Sequence, residues 1–201
     1  MSDPVVANIF KSNAVIWVAP LGTALPNPND IAAGVDWGVA WDRVGFTAEP
    51  VSVAYDHTEA EFPVEEYLAP VARVTTSEGL KVETVLAELT ATYLQLGLEG
   101  SVVTTGQASG VAGREDLVVG NAALRTVRIF GIEGQYVDAS GNTLPLRLFV
   151  YRATCHLNAQ LQFSKHENKY TGIPIQILAL ADADNSGRLF GFQRVTAPEL
   201  P

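Results

Sequence analysis

A single cysteine, Cys155, among 201 residues rules out an intrachain disulfide and any multi-cysteine zinc site. That scarcity fits a reducing, cytosolic site of synthesis. No apolar run reaches the roughly 18 residues that a membrane helix needs, and the N-terminus lacks a secretory signal layout. Neither a membrane span nor export is expected. Basic residues are also few: 13 Lys and Arg face 22 Asp and Glu, for a net charge of −9. A protein that grips nucleic acid carries a basic stripe, and this chain should repel DNA. The deficit is local. Residues 1–72 hold ten acids against Lys11 and Arg43, and Glu49–Glu66 holds six acids with no base. On its own such a stretch reads as a solvated acidic loop that aids solubility.

Catalytic constellations are missing too. His57, His156 and His166 fall in an acidic loop, on a polar strand face and in a turn. Cys155 and His156 are neighbours, so on a strand they point to opposite faces and cannot form a nucleophile–base pair. Cys155 is expected as a small buried hydrophobe. There is no P-loop, HExxH or GxSxG pattern. Gly131-Ile-Glu-Gly134 lacks the third glycine and the strand–helix setting of a dinucleotide site. The pairs Glu65–Glu66 and Glu115–Asp116 read as solvated loop carboxylates. Asp182-Ala-Asp-Asn-Ser-Gly187 copies the first half of a calcium loop, but Gln193 stands where a bidentate Glu is required, so a hairpin turn is the better reading. No enzyme activity, cofactor or metal is expected.

What is present is a β pattern. Hydrophobic residues make up 47% and charged residues 17% of the chain, which places it among globular proteins and, at this length, most simply as one domain. Val71–Gly97 is its centre. Ala72, Val74, Thr76, Leu80, Val82, Thr84 and Leu86 alternate with Arg73, Thr75, Ser77, Lys81 and Glu83, the signature of a long half-buried strand. Gly79 is a candidate bend or bulge. At Glu88 the period changes to that of a short helix, with Thr90 as N-cap and Gly97 or Gly100 as its stop.

Around this centre, residues 1–13 read as an extended N-terminal arm and Ala14–Ala19 as a buried strand. Leu21–Gly34 is a proline-rich loop. Trp37, Trp41 and Phe46 are expected to cap one end of the core. Thr47–Tyr55 reads as an edge strand, and residues 56–70, with Pro63 and Pro70 and no period, as a long hairpin loop. Residues 101–120 read as a flexible insertion with a short strand at Leu117–Val119, and Asp138–Asn142 as a turn. In Leu146–Ser164, Cys155, Leu157, Ala159, Leu161 and Phe163 alternate with Arg152, Thr154, His156, Asn158, Gln160 and Gln162. An apolar strand at Ile173–Ala181, a closing strand at Arg188–Val195 and a tail at residues 196–201 complete the chain. The expected fold is mostly β, a sandwich or barrel of about seven or eight antiparallel strands with one short α-helix.

Four stretches carry a family resemblance: AVIWVAPLGTALP (Ala14–Pro26), LAPVARVTTSEGLKVETVLAELTATYLQLGL (Leu68–Leu98), YTGIPIQILALAD (Tyr170–Asp182) and NSGRLFGF (Asn185–Phe192). In order and type they resemble the major tail protein of long-tailed phages, the tail tube subunit. The resemblance implies a virion protein, assembled in the host cytoplasm. It implies hexameric rings stacked into a hollow, non-contractile, siphovirus-like tube around a tape-measure protein. Tail terminator or baseplate proteins would be further partners, and DNA would pass through without specific binding. No membrane is involved. Open strand edges favour aggregation unless paired, and a head-to-tail ring pairs them.

On this reading Asp56, Glu59, Glu61, Glu65, Glu66 and Tyr67 are inter-ring contact candidates. Arg73, Thr75, Ser77, Lys81 and Glu83 are lumen-facing candidates, with the polar face of Arg152–Gln162 as the alternative wall. Two other readings compete. One is a non-enzymatic β-sandwich binding module that exposes Trp37, Trp41, Tyr67 and Tyr170. The other is a different tail component, such as a tail terminator or minor tail protein.

Overall fold

The computed structural model describes residues 14–27, 34–63, 65, 67, 69–88, 90–98, 102–106, 113–120, 125–138, 140–158 and 172–196. The expected N-terminal arm at 1–13, residues 197–201 of the expected tail, and the far half of the Leu146–Ser164 alternation lie outside the described residues.

One antiparallel sheet dominates. Its strands are β1 (Val15–Pro20), β2 (Asp42–Arg43), β3 (Ser52–Phe62), β4 (Ala72–Leu86), β7 (Arg128–Val137), β8 (Thr143–Leu157), β9 (Ile173–Ala179) and β10 (Phe190–Arg194). The order is β2-β1-β7-β8-β9-β4-β3, with β10 paired to β8. A separate hairpin joins β5 (Val102–Gly106) to β6 (Arg114–Val118), and α1 (Ala91–Gly97) follows β4. The mostly-β fold with one short helix is therefore as expected. Among the described residues the sheet is open rather than closed into a barrel.

Strand β8 explains the bend. Leu146–Val150 pairs with β10 on the edge away from β7, whereas Ala153–Leu157 gives that same edge to β9. The partner changes across Tyr151–Arg152, where β7 also slips register between Arg128 and Phe130. Such an irregularity sharpens local bending and twist. The two half-sheets then face each other across one core. Ile16 and Val18 of β1 and Phe130 and Ile132 of β7 cluster with Val82 of β4 and Ile175 and Ile177 of β9. Cys155 is buried among them, as its alternation predicted.

Helix α1 closes the main core at its β8–β9 end. Thr90 caps it, its Oγ1 accepting from the Tyr93 amide at 3.2 Å, as the sequence predicted. Tyr93, Leu94 and Leu96 pack on the core. Gly97 lies so close to the sheet that a Cβ there would sit 3.0 Å from the Leu157 nitrogen.

The short strand expected at Leu117–Val119 is part of a hairpin, β6 paired with β5. β-Branched Val102–Thr105 forms a ladder with Glu115–Val118, and Glu115 accepts from the Ala91 amide at 3.3 Å, placing a carboxylate at the start of α1.

The outer face of β1, β7 and β8 is buried as well. Trp17, Ile129 and Phe149 are covered by a strap that runs over Gly34–Trp41. Trp37 stacks on Trp17 with ring centroids 5.2 Å apart and meets Trp41 edge-on at 5.1 Å. Phe46, expected with these tryptophans, is instead 63% exposed beneath the Arg43 guanidinium.

Candidate assembly surface

Strands β3 and β4 form an arm. In β4 burial alternates cleanly from Leu80 to Leu86, but every side chain from Ala72 to Glu78 is exposed, and β3 is exposed along almost its whole length. Among the described residues, the distal half of this hairpin has no core on either side. The expected loop at 56–70 is therefore half strand, since β3 continues through Phe62 before Pro63 ends it. Its period was invisible because period-two patterning reports burial of one face, and here neither face is buried.

The pairing also corrects the expected faces. Thr58 lies opposite Ser77, but Glu59 lies opposite Thr75, so Thr76 is an extra residue in β4. Its Oγ1 donates to the Thr58 carbonyl at 3.1 Å. This bulge, not Gly79, interrupts the strand; Gly79 pairs regularly with Asp56. Residues directly opposite one another share a face. Counting from Tyr55 opposite Leu80, the core-side face continues as His57 with Glu78, Glu59 with Thr75, and Glu61 with Arg73. Arg73 and Thr75 therefore lie on the opposite face from Ser77, Lys81 and Glu83, against the simple alternation.

The arm is consequently two-faced. On the core-side face the Arg73 Nη2 lies 2.7 Å from Glu61 Oε1, and the His57 Nε2 lies 3.5 Å from Glu59 Oε1. Tyr55 stacks on His57 and meets Phe190 edge-on. Desolvation, then the nearby Glu78 carboxylate, raise the Tyr55 pKa. The other face ends in Ala60 opposite Val74 and Phe62 opposite Ala72, an apolar strip beyond Thr58 and Ser77. Phe62, Val71 and Val74 are each about half exposed. Asp56 is exposed opposite Gly79, and Glu65 and Tyr67 are exposed in the turn; Glu66 lies outside the described residues.

Parts of the two alternating polar stretches meet on one sheet face. His156 of β8 lies opposite Gln176 of β9, which lies opposite Glu83 of β4 and, beyond it, Ser52 of β3. The next row runs Thr154, Leu178, Lys81, Ala54. Glu83 Oε1 accepts from Asn158 at 2.8 Å and Gln176 at 2.9 Å, and its Oε2 lies 3.2 Å from Lys81 Nζ. These bonds, that from Gln176 first, hold the Glu83 carboxyl below the usual glutamate range. At the β8 end Thr154 bonds the His156 ring at 3.1 Å, and the Arg125 guanidinium touches the same ring.

A charged pair that the sequence reading missed secures the strap. Glu133 and Arg147 are fully buried, opposite each other in register, with Arg147 Nε 2.8 Å from Glu133 Oε2. Glu133 also accepts from the Gly34 amide at 2.7 Å and the Trp37 indole at 3.1 Å. The Arg147 guanidinium lies 5.5 Å from the Trp37 ring centre. Gly131 makes room: a Cβ there would fall 2.1 Å from the Trp37 ring. The Gly131–Gly134 stretch thus seats an indole. The calcium-like stretch is a turn, with Asp182 accepting from the Asp184 amide and the Asn185 side chain. Trp37 and Trp41 are buried, so they cannot serve the binding-module reading; Tyr67 is exposed and Tyr170 lies outside the described residues.

An antiparallel β protein with an exposed two-faced arm and a half-buried, hydrogen-bonded polar face is equipped as a structural subunit. A family model described as phage tail tube protein matches residues 6–192, nearly the whole chain. The chain belongs to that family and is a structural component of a phage tail. No curated protein matches the sequence.

Proposed function

We propose that the protein forms hexameric rings that stack into the hollow tube of a long, non-contractile tail, through which the phage genome is delivered. The observation that carries this reading is the β3–β4 arm, which extends past the core of a tail tube family member with its side chains exposed on both faces. The arm contacts the next ring through Asp56, Glu59, Glu61, Glu65, Glu66 and Tyr67, joined by Arg73 and Thr75 on the face that the bulge gives them. The lumen wall is the polar face that carries Ser77, Lys81 and Glu83 together with Thr154, His156 and Gln176.

Charge on this wall is sparse. Glu83 is matched by Lys81, and Arg125 stands at the β8 end. The wall meets passing DNA with satisfied amides and hydroxyls rather than a cationic surface that would hold phosphates. The lumen of the growing tube holds the tape-measure protein, and terminator and baseplate proteins meet its ends. Assembly takes place in the host cytoplasm.

Shortening the arm tests this directly. Asp56 and Gly79 are directly paired, so replacing residues 57–78 by Asn-Gly closes a tight hairpin between them. The expected product is a folded protein that forms no tubes in negative-stain micrographs, whereas the full chain forms them. Normal tubes from the shortened chain refute the role of the arm.

A further inference from the structure

We infer that the apolar strip on the arm of one copy inserts into an open groove beside the strap of a second copy. This rests on the tube reading and names the surface that receives the arm. The groove has a volume of about 630 Å³, is floored by Trp37 and Trp41, and has Leu25 and Val39 on its walls. Val39 is fully exposed and Leu25 is 41% exposed. On the arm, Phe62 and Val74 present exposed apolar surface.

Two features of the fold suit a contact with a second copy. The strap covers β1, next to the β2 end of the strand order, whereas the arm forms the β3 end. A contact between opposite ends of the strand order is heterologous, and repeating it builds rings or stacks instead of a closed pair. Orientation agrees. The strip shares its sheet face with Lys81 and Glu83, and the strap lies on the far side of the core from that face. An arm whose strip looks toward the tube axis can therefore lie over the outward-facing strap of its neighbour. Burial of Phe62, Val74, Leu25 and Val39 removes apolar area from water, the main source of favourable association free energy.

Cysteine cross-linking tests the contact, because native Cys155 is buried and does not compete. Copies carrying Phe62→Cys are mixed with copies carrying Val39→Cys, assembled and mildly oxidised by air. The expected result is a mixed dimer on non-reducing gels, at least tenfold more abundant than from Glu59→Cys with Val39→Cys, since Glu59 lies on the other face. Tubes that form with no mixed cross-link, or with equal yields from the two pairs, overturn the contact and leave the tube reading standing. Absence of any assembly by the unmodified chain removes both. As a second variant, Leu25→Asp should keep the melting temperature and reduce tube yield at least tenfold; an unchanged yield overturns the proposal.

Discussion

Glu133 and Arg147 put two charges where water cannot reach them, and the cost is met only because each is bonded on several sides. Removing one partner strands the other, which costs about 3–5 kcal/mol. Arg147→Met should lower stability by that order in a denaturant titration and loosen the strap, seen as a change in tryptophan fluorescence. Glu133→Gln combined with Arg147→Met should recover part of the loss, because no lone charge remains. Cys155 offers a second residue-scale test. Burial pushes its thiol up to about 12 from an ordinary value of 9.0, so the folded state favours the protonated form. That preference contributes stability below pH 9.0 and is lost as the pH rises toward 12. The native protein should resist a thiol reagent at pH 8 and react fully in denaturant; rapid native reaction would place the thiol in solvent. The buried ion pair was open to discovery from sequence. The Asp138–Asn142 turn sets Val137 opposite Thr143, and counting back puts Glu133 opposite Arg147. What no residue pattern announced was that a strap would bury that face.

At the scale of elements, the bulge in β4 decides what the arm can do. Paired regularly instead of bulged, Thr76 would put Arg73 and Thr75 on one face with Ser77 and turn Ala72 and Val74 to the core side. Inserting one alanine between Thr58 and Glu59, so that Thr76 gains a partner, should leave the melting temperature within a few degrees of the parent, because the residues around it are exposed and support no core. The same insertion should abolish tube formation, because it exchanges the charged and apolar faces of the arm at the tip. Retained assembly would mean that facial polarity of the arm does not matter. Helix α1 and the buried half of β4 were legible because Leu80, Val82, Thr84 and Leu86 meet a core at regular spacing, and Thr90 has a capping hydroxyl. Asp56–Phe62 was read as loop because both its faces meet water. The bulge left no trace either, since Thr76 is one polar residue in a polar run and Gly79 was the more conspicuous candidate. The β5–β6 hairpin was obscured in the same way, by the Gly- and Ser-rich residues between its strands.

At the scale of the whole molecule, a bent sheet places its surfaces on opposite sides of one core. The hydrogen-bonded wall of β8, β9 and β4 faces one way, and the strap with its groove faces the other. Parts of the two alternation patterns that sequence reading could not rank are neighbours on that single wall, joined through Gln176, which lies on β9 and so links two strands that are distant in the chain. Membership of the phage tail tube protein family gives such a molecule a structural role, and the arrangement of its faces gives that role a direction. The most direct measurement is a cryo-EM reconstruction of tubes assembled from the full chain. The expected map has the side chains of Lys81, Glu83, Thr154, His156 and Gln176 on the lumen wall, with the strap and its groove outside. A map with the strap toward the axis and this row on the exterior would contradict it.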